Sequence, residues 1–362
     1  MLLARYAAHG RDNNFNLMRM VAALMVLFSH SFALATGSGR NEPLRGLIGM
    51  TPGTIAVDIF FITSGYLVTR SIVSRKNFIE FLINRMLRIY PGLIVSIAAT
   101  TVVLGLFFQP NDFLNFITSS PVKHFVETNC VSLLGTEFSI PGVFEDAPYK
   151  GTINGSLWTL PNELRMYASL ALIWIVSVIW QNKRLHLFTA SCLFVLIVVS
   201  ACYYLKFGFE FKEFDILRLA ILFYSGSVFC VFSEKIDINR VTAIIFLVLI
   251  ASSFFLGKHA FFATYMLLIP YIVMYLAYVP AGIIRNYNAL GDYSYGVYIY
   301  AFPVQQAVSI IMKPIDPMVL FLYSGTVTLT LAVISWKIVE HPALQSKAKL
   351  ENYFKTWRPV QS

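Results

Sequence analysis

The chain has 362 residues, of which 57% are hydrophobic and only 13% are charged, and its mean hydropathy is +0.66. Soluble globular proteins are about 45–50% apolar and about 25% charged, and one soluble core of this size cannot bury the excess. The composition therefore excludes a soluble enzyme, a disordered chain and a fibrous chain. It predicts a protein whose main solvent is lipid.

Lys and Arg number 28 against 19 Asp and Glu, which gives a net charge of +9. The basic residues lie in short loops between apolar segments, a pattern that reflects membrane orientation rather than nucleic-acid binding. The four cysteines show neither the paired spacing of a metal site nor a disulfide framework. We therefore expect no nucleic-acid partner, no metal and no permanently bound cofactor.

Ten apolar segments approach the length of about 20 residues that a membrane-spanning helix needs. They cover residues 17–36, 54–72, 89–108, 164–181, 187–205, 214–232, 241–257, 260–280, 290–311 and 318–338. Most Lys and Arg fall in loops on the same side as the two termini, which assigns that side to the cytoplasm. The expected fold is an all-α polytopic membrane protein with about ten transmembrane helices and both termini cytoplasmic.

The domain organisation follows from these segments. Residues 1–345 are predicted to form a single transmembrane domain, with one long outer loop at about 109–163, and 346–362 a basic cytoplasmic tail. A loop of this length inside a compact protein is usually functional or disordered.

The first span contains two residues that are costly in a membrane, Arg19 and His30. Eleven positions separate them, so they project from one helix face about 16 Å apart. Arg19 at the interface could simply snorkel, and His30 could simply hydrogen-bond a neighbouring helix. Because imidazole accepts a proton near neutral pH, His30 is also a candidate general base.

The second span brings Asp58 to a predicted depth close to that of His30. A carboxylate there could orient the imidazole and stabilise its protonated form. The alternative is a carboxylate bonded to the backbone or to Arg45. In the same span Ser64 and Gly65 could simply allow close helix packing.

The next basic pair, Arg85 and Arg88, shares a helix face because the spacing is i,i+3. Positive-inside bias alone would explain the pair. Alternatively it forms a phosphate clamp, since guanidinium groups bind phosphate bidentately.

The fourth span opens with Trp158, Asn162 and Glu163. Glu163 could merely complement the dipole at the start of the helix. A Trp beside amide and carboxylate groups is also suited to gripping a sugar, which offers an apolar face and hydroxyls. The ninth span begins with several tyrosines, including Tyr295, and interfacial tyrosines often form an aromatic belt.

In their order along the chain these segments resemble acyltransferase family 3, membrane proteins that acylate sugar hydroxyls of bacterial surface polysaccharides. The matching pieces are Arg19 with ten residues before His30, Ala56–Tyr66, Arg85–Pro91, Gly155–Glu163, Ser294–Pro303 and Glu340–Pro342. Any one piece is weak, but the ordered combination covers nearly the whole chain.

Two departures from the family accompany this resemblance. Many members carry a His immediately before the Pro of the ninth-span motif, whereas this chain has Phe302 before Pro303. Members with an appended SGNH domain continue well beyond the last span, so we expect this chain to act without one.

The resemblance implies an integral O-acyltransferase of the bacterial cytoplasmic (inner) membrane, with an acyl-CoA, most simply acetyl-CoA, as co-substrate. It implies donor binding by Arg19, Arg85 and Arg88, and catalysis by His30 as base or transient acyl carrier, with Asp58 or Glu163 orienting the imidazole. An acceptor sugar of a surface polysaccharide, O-antigen, exopolysaccharide or lipid-linked glycan would contact Trp158, Asn162 and Tyr295. The sequence leaves a homo-oligomer open.

A proton-coupled secondary transporter is the main alternative, because Arg19, His30 and Asp58 could equally form an intramembrane proton pathway. Transporters usually show internal repeats and paired broken helices. We find neither pattern in this sequence.

Overall fold

The computed structural model describes residues 1–10, 12–74, 78–179 and 183–347. Ten helices of at least 14 residues dominate this part of the chain. They are α1 (Phe15–Thr36), α2 (Pro52–Ser74), α3 (Phe78–Phe108), α4 (Thr159–Val178), α5 (Arg184–Phe207), α6 (Ile216–Val231), α7 (Arg240–Ser253), α8 (Lys258–Tyr278), α9 (Ser294–Ile311) and α10 (Pro317–Ser335). Within the described residues the strand content is a single isolated bridge between Leu2 and Asp237.

Each of the ten predicted apolar segments lies on one of these helices. Six of the described helices are long and apolar enough to cross a membrane: α1, α2, α3, α5, α8 and the segment Pro317–Gln345, which contains α10. The protein is therefore helical with several membrane-spanning segments. The number ten and the cytoplasmic location of the termini stay predictions, and the tail beyond residue 347 lies outside the described residues.

Several boundaries differ from the sequence-based ones. Helix α3 begins at Phe78 and runs through Pro91 without ending, so Arg85 and Arg88 lie on this helix rather than in a connection. A membrane helix tolerates Pro when neighbouring groups satisfy the freed backbone carbonyl. The predicted outer loop carries helices at Phe113–Thr118 and Ser120–Val131, and α4 already begins at Thr159.

Helix α2 lies at the centre of the bundle, in contact with α1, α4, α6 and α8. Its crossing with α6 requires two glycines. A Cβ atom on Gly65 would lie 1.9 Å from the carbonyl oxygen of Phe223, and one on Gly226 would lie 2.1 Å from that of Ile62. Small residues allow such backbone contact between membrane helices, which confirms the packing role considered for Gly65.

Around α2, helix α1 packs against α9 and α10, while α5 packs against α4 and α6. Shorter helices complete the ends of the bundle, among them Leu3–Ala8, Arg45–Ile48 and the turn of 3₁₀ helix Gly155–Trp158. Near one end, the amino group of Met1 forms an ion pair with Asp237 between α6 and α7. Two cavities lie within this arrangement. One is lined by α1, α2, α3, α4 and α9, and the other by α1, α2, α6, α9 and the connections between them.

Candidate active site

The first cavity, called here the arginine cavity, has a volume of about 70 Å³. It lies among α1, α2, α3, α4 and α9. Its charged lining residues are Arg19, Arg85, Arg88 and Glu163, and its remaining walls are mainly apolar or aromatic. The structure therefore brings together the three arginines that the sequence assigned to the donor.

Asp292, just before α9, pairs with two of these arginines. Its Oδ2 accepts hydrogen bonds from Arg88 and, at 3.4 Å, from Arg19, while its Oδ1 accepts one from the Ser294 hydroxyl at 2.5 Å. The sequence reading gave Asp292 no role, because its partners lie far away in the chain. Its single negative charge faces two guanidinium groups, so the cluster keeps net positive charge.

Arg85 forms no ion pair among the residues that the structure describes. Its guanidinium lies over the Tyr167 ring, 5.9 Å from the ring centroid, and its Nε is buried without a hydrogen-bond partner in the described structure. The nearby Glu163 accepts hydrogen bonds from Tyr167 and, at 2.9 Å, from Ser64. Arg85 is thus the arginine with most unused capacity to bind an anion.

The second cavity, called here the His30 cavity, has a volume of about 720 Å³. This size falls in the usual range for small-molecule sites, about 300–1,000 Å³. Its walls combine aromatic rings with hydroxyl, carboxylate and guanidinium groups, namely Ser29, His30, Arg40, Glu42, Arg45, Thr51, Thr54, Phe138, Tyr149, Thr152, Trp158, Glu213, Phe214, Arg218, Tyr298 and Phe302.

His30 has a buried Nδ1 atom without a hydrogen-bond partner among the described residues. A buried polar atom of this kind costs free energy unless a ligand or water pairs with it. The imidazole packs edge-to-face against Phe302, with 5.2 Å between ring centroids. Phe302, the residue before Pro303, therefore contacts His30 with an apolar ring.

Asp58 forms a buried ion pair with Arg218, and neither side chain has exposed surface. Its second oxygen accepts a hydrogen bond of 3.0 Å from Tyr265. Arg218 in turn donates to the backbone carbonyl of Glu213 at 2.9 Å. Neither Asp58 nor Glu163 is hydrogen-bonded to His30 in this structure, and Glu163 lines the other cavity.

A carboxylate network that the sequence reading missed lines the His30 cavity. Arg45 pairs with both Glu42, at 3.2 Å, and Glu213, at 3.0 Å. Glu42 also accepts a hydrogen bond from Ser29, the residue before His30, and burial raises the pKa of its carboxyl. Glu213 and His30 line the same cavity.

The three predicted acceptor residues occupy different places. Trp158 lines the His30 cavity and packs edge-to-face against Phe214, 5.0 Å away between centroids. Tyr295 lines the arginine cavity and donates to the carbonyl of Ile89 at 2.8 Å. Asn162 donates to the carbonyl of Trp158 at 3.2 Å and lines neither of these cavities.

A family model described as an acyltransferase domain, that of acyltransferase family 3, matches residues 12–337. The chain belongs to this family. The identification made from the ordered motifs is therefore confirmed, and the protein is a multi-pass membrane acyltransferase. The family assignment gives no support to the alternative of a secondary transporter.

Named relatives are consistent with the family. An O-acetyl transferase of Shigella phage Sf6 is 30% identical over 351 residues, which is 91% of this chain and 95% of that protein. Nodulation protein 10 of Rhizobium leguminosarum bv. viciae is 26% identical over 94% of this chain and 95% of that protein. Peptidoglycan O-acetyltransferase OatA of Listeria monocytogenes is 23% identical, with 84% of this chain but 53% of OatA covered. No solved structure matches the chain.

Proposed function

We propose that the protein transfers an acyl group, in the simplest case acetyl, from cytoplasmic acyl-CoA to a sugar hydroxyl presented on the other side of the bacterial inner membrane. One observation carries this proposal. Two adjoining cavities lie in the bundle, one lined by Arg19, Arg85 and Arg88 and the other by His30 and Trp158. Their chemistry suits the two substrates of an acyl transfer.

The donor end is the arginine cavity. Phosphate groups of CoA accept charge-assisted hydrogen bonds from guanidinium groups. Arg85 has no carboxylate partner among the described ion pairs, while Arg19 and Arg88 share Asp292. We infer that Arg85 makes the primary phosphate contact and that the other two arginines assist after partial release from Asp292.

The acceptor end is the His30 cavity. Trp158 offers an apolar face, and Glu42, Arg45 and Glu213 offer hydrogen-bonding groups around it. Sugars present both kinds of surface, which favours this cavity as the acceptor site. Tyr295 and Asn162 lie elsewhere, so Trp158 is the acceptor residue among the three that the geometry supports best.

The chemistry would take place at His30. In direct transfer, His30 removes the hydroxyl proton while the sugar oxygen attacks the thioester carbonyl. A carbon–oxygen ester bond forms, the carbon–sulfur bond breaks, and the imidazolium returns its proton to the CoA thiolate. In the alternative, His30 accepts the acyl group transiently before the sugar does.

The names of the relatives support an oxygen nucleophile and a glycan acceptor. The phage relative is named for O-acetyl transfer, and the Listeria relative for peptidoglycan O-acetylation. For this chain we propose a surface polysaccharide, O-antigen, exopolysaccharide or lipid-linked glycan as acceptor.

The proposal is tested with purified full-length protein in liposomes that contain the surface glycans of the host. Acetyl-CoA is added on the side of the arginine cavity, and released CoA thiol and acetylated glycan are both measured. We expect equal amounts of the two products from the wild type and neither from His30→Ala. Thiol release without glycan acetylation would contradict a glycan acceptor, and absence of both in the wild type would overturn the proposal.

A further inference from the structure

Two residues form the boundary between the two cavities. Val57 of α2 and Tyr298 of α9 line both the arginine cavity and the His30 cavity. Both are nearly enclosed, with 6% and 7% of their surface exposed. We call this pair the septum.

Hydrogen bonds and packing hold the septum in place. The Tyr298 hydroxyl donates to the carbonyl of Ser156 at 2.7 Å and lies 2.7 Å from the hydroxyl of Thr159. Its ring packs edge-to-face against Phe60, with 5.7 Å between centroids. The ring is thereby fixed to the start of α4.

The opposite wall is equally constrained. Val57 is β-branched and therefore stiff about χ1, and the next residue, Asp58, is anchored by its buried ion pair with Arg218. A rigid wall discriminates between ligands by shape more strongly than a flexible one, because cores resist added volume.

Under the proposed function, the thioester must reach His30 from the arginine cavity, so the acyl group has to pass the septum. We propose that Val57 and Tyr298 select the acyl group by its width, admitting acetyl and straight-chain acyl groups and rejecting those branched next to the carbonyl. The His30 cavity, with about 720 Å³, has room for added length. The septum therefore restricts the cross-section of the acyl group rather than its number of carbon atoms.

Butyryl-CoA and isobutyryl-CoA provide a direct test, because they contain the same atoms and differ only in branching. One methylene that a pocket cannot accept typically changes kcat/KM by about 10–200-fold. We expect wild-type protein in liposomes to use isobutyryl-CoA at least about tenfold less well than butyryl-CoA.

Val57→Ala removes two methyl groups from the septum and should reduce this ratio about tenfold. Tyr298→Phe keeps the ring but removes its anchoring hydroxyl, so it should change the ratio in the same direction and provides a second variant if Val57→Ala folds poorly. The matched control is Val73→Ala, the same substitution further along α2 at a residue that lines neither cavity. It should leave the ratio unchanged.

The inference rests on the proposed function, and the outcomes separate the two. Acetyl transfer that continues with an unaltered butyryl to isobutyryl ratio in both septum variants would overturn the septum proposal alone. A wild type that shows no branching preference would do the same. A wild type that uses no acyl-CoA at all would overturn the proposed function and the septum proposal together.

Discussion

Removal of Asp58 should destabilise the protein far more than its single charge suggests. The Asp58 carboxylate and the Arg218 guanidinium form an ion pair with no exposed surface on either side chain. Asp58→Asn leaves the arginine charge buried without its counter-ion. Breaking a buried ion pair from one side typically costs about 3–5 kcal/mol, a large part of the roughly 5–15 kcal/mol that stabilises a folded domain.

The double variant Asp58→Leu with Arg218→Met should behave differently. It removes both charges and fills the space with apolar side chains, a replacement that is often neutral or stabilising in other proteins. The hydrogen bond from Arg218 to the carbonyl of Glu213 is lost as well, so we expect the stability to recover largely but not completely.

Each variant is heated in detergent over a series of temperatures, and the fraction of protein that stays monodisperse is measured at each temperature. The control is Lys212→Met, which breaks an exposed pair with Glu210 and should cost no more than about 1 kcal/mol. Equal melting midpoints for Asp58→Asn and the wild type would contradict a stabilising role for this ion pair. So would a double variant that is as unstable as Asp58→Asn.

Three further changes test the packing, the donor end and the acceptor end. Gly65→Ala should lower the melting midpoint strongly, because its Cβ would lie 1.9 Å from a backbone carbonyl oxygen of α6. Gly325→Ala is the control, since its Cβ would have no atom within 4 Å. Equal melting midpoints for the two variants would contradict the close crossing of α2 and α6. Arg85→Ala should raise KM for acetyl-CoA about tenfold or more with kcat little changed, because charge-assisted hydrogen bonds contribute about 1.5–3 kcal/mol. An unchanged KM in steady-state kinetics would exclude the phosphate contact. Glu213→Gln should lower kcat at constant donor KM, because its carboxylate lines the cavity that contains His30 and pairs with Arg45 there. The exposed Glu210→Gln is the control, and identical kcat values for the two variants would exclude a role for Glu213 in the acceptor site.

The helices could be predicted from the sequence because lipid demands long apolar segments with satisfied backbones. Ends were harder. The predicted third span began at residue 89, after the charged pair Arg85 and Arg88, but α3 begins at Phe78 and contains both arginines. The fourth apolar segment begins at residue 164, later than the start of α4 at Thr159, because the first turn of this helix contains the polar residues Asn162 and Glu163.

Arg19, His30 and Asp58 were candidates because each is a costly group in an apolar segment. Arg19 meets the basic pair Arg85 and Arg88 in one cavity. Their counter-ion Asp292 was missed, as were Glu42 and Glu213 beside the His30 cavity. Glu42 and Glu213 lie in connections, where charge is ordinary. The ion-pair partners of Asp292 and Glu213 are distant in the chain. Ion pairs of this kind depend on the tertiary fold. The fold likewise pairs Asp58 with Arg218 rather than with His30.

His30 is proposed to carry out acyl transfer to a glycan. Mass spectrometry of surface glycans from cells with the wild type, without the protein, and with His30→Ala tests it most directly, with the exposed His186→Ala as a matched control. We expect an acyl mass increment with the wild type and with His186→Ala, and none in the other two samples. An increment that persists with His30→Ala would contradict this role of His30.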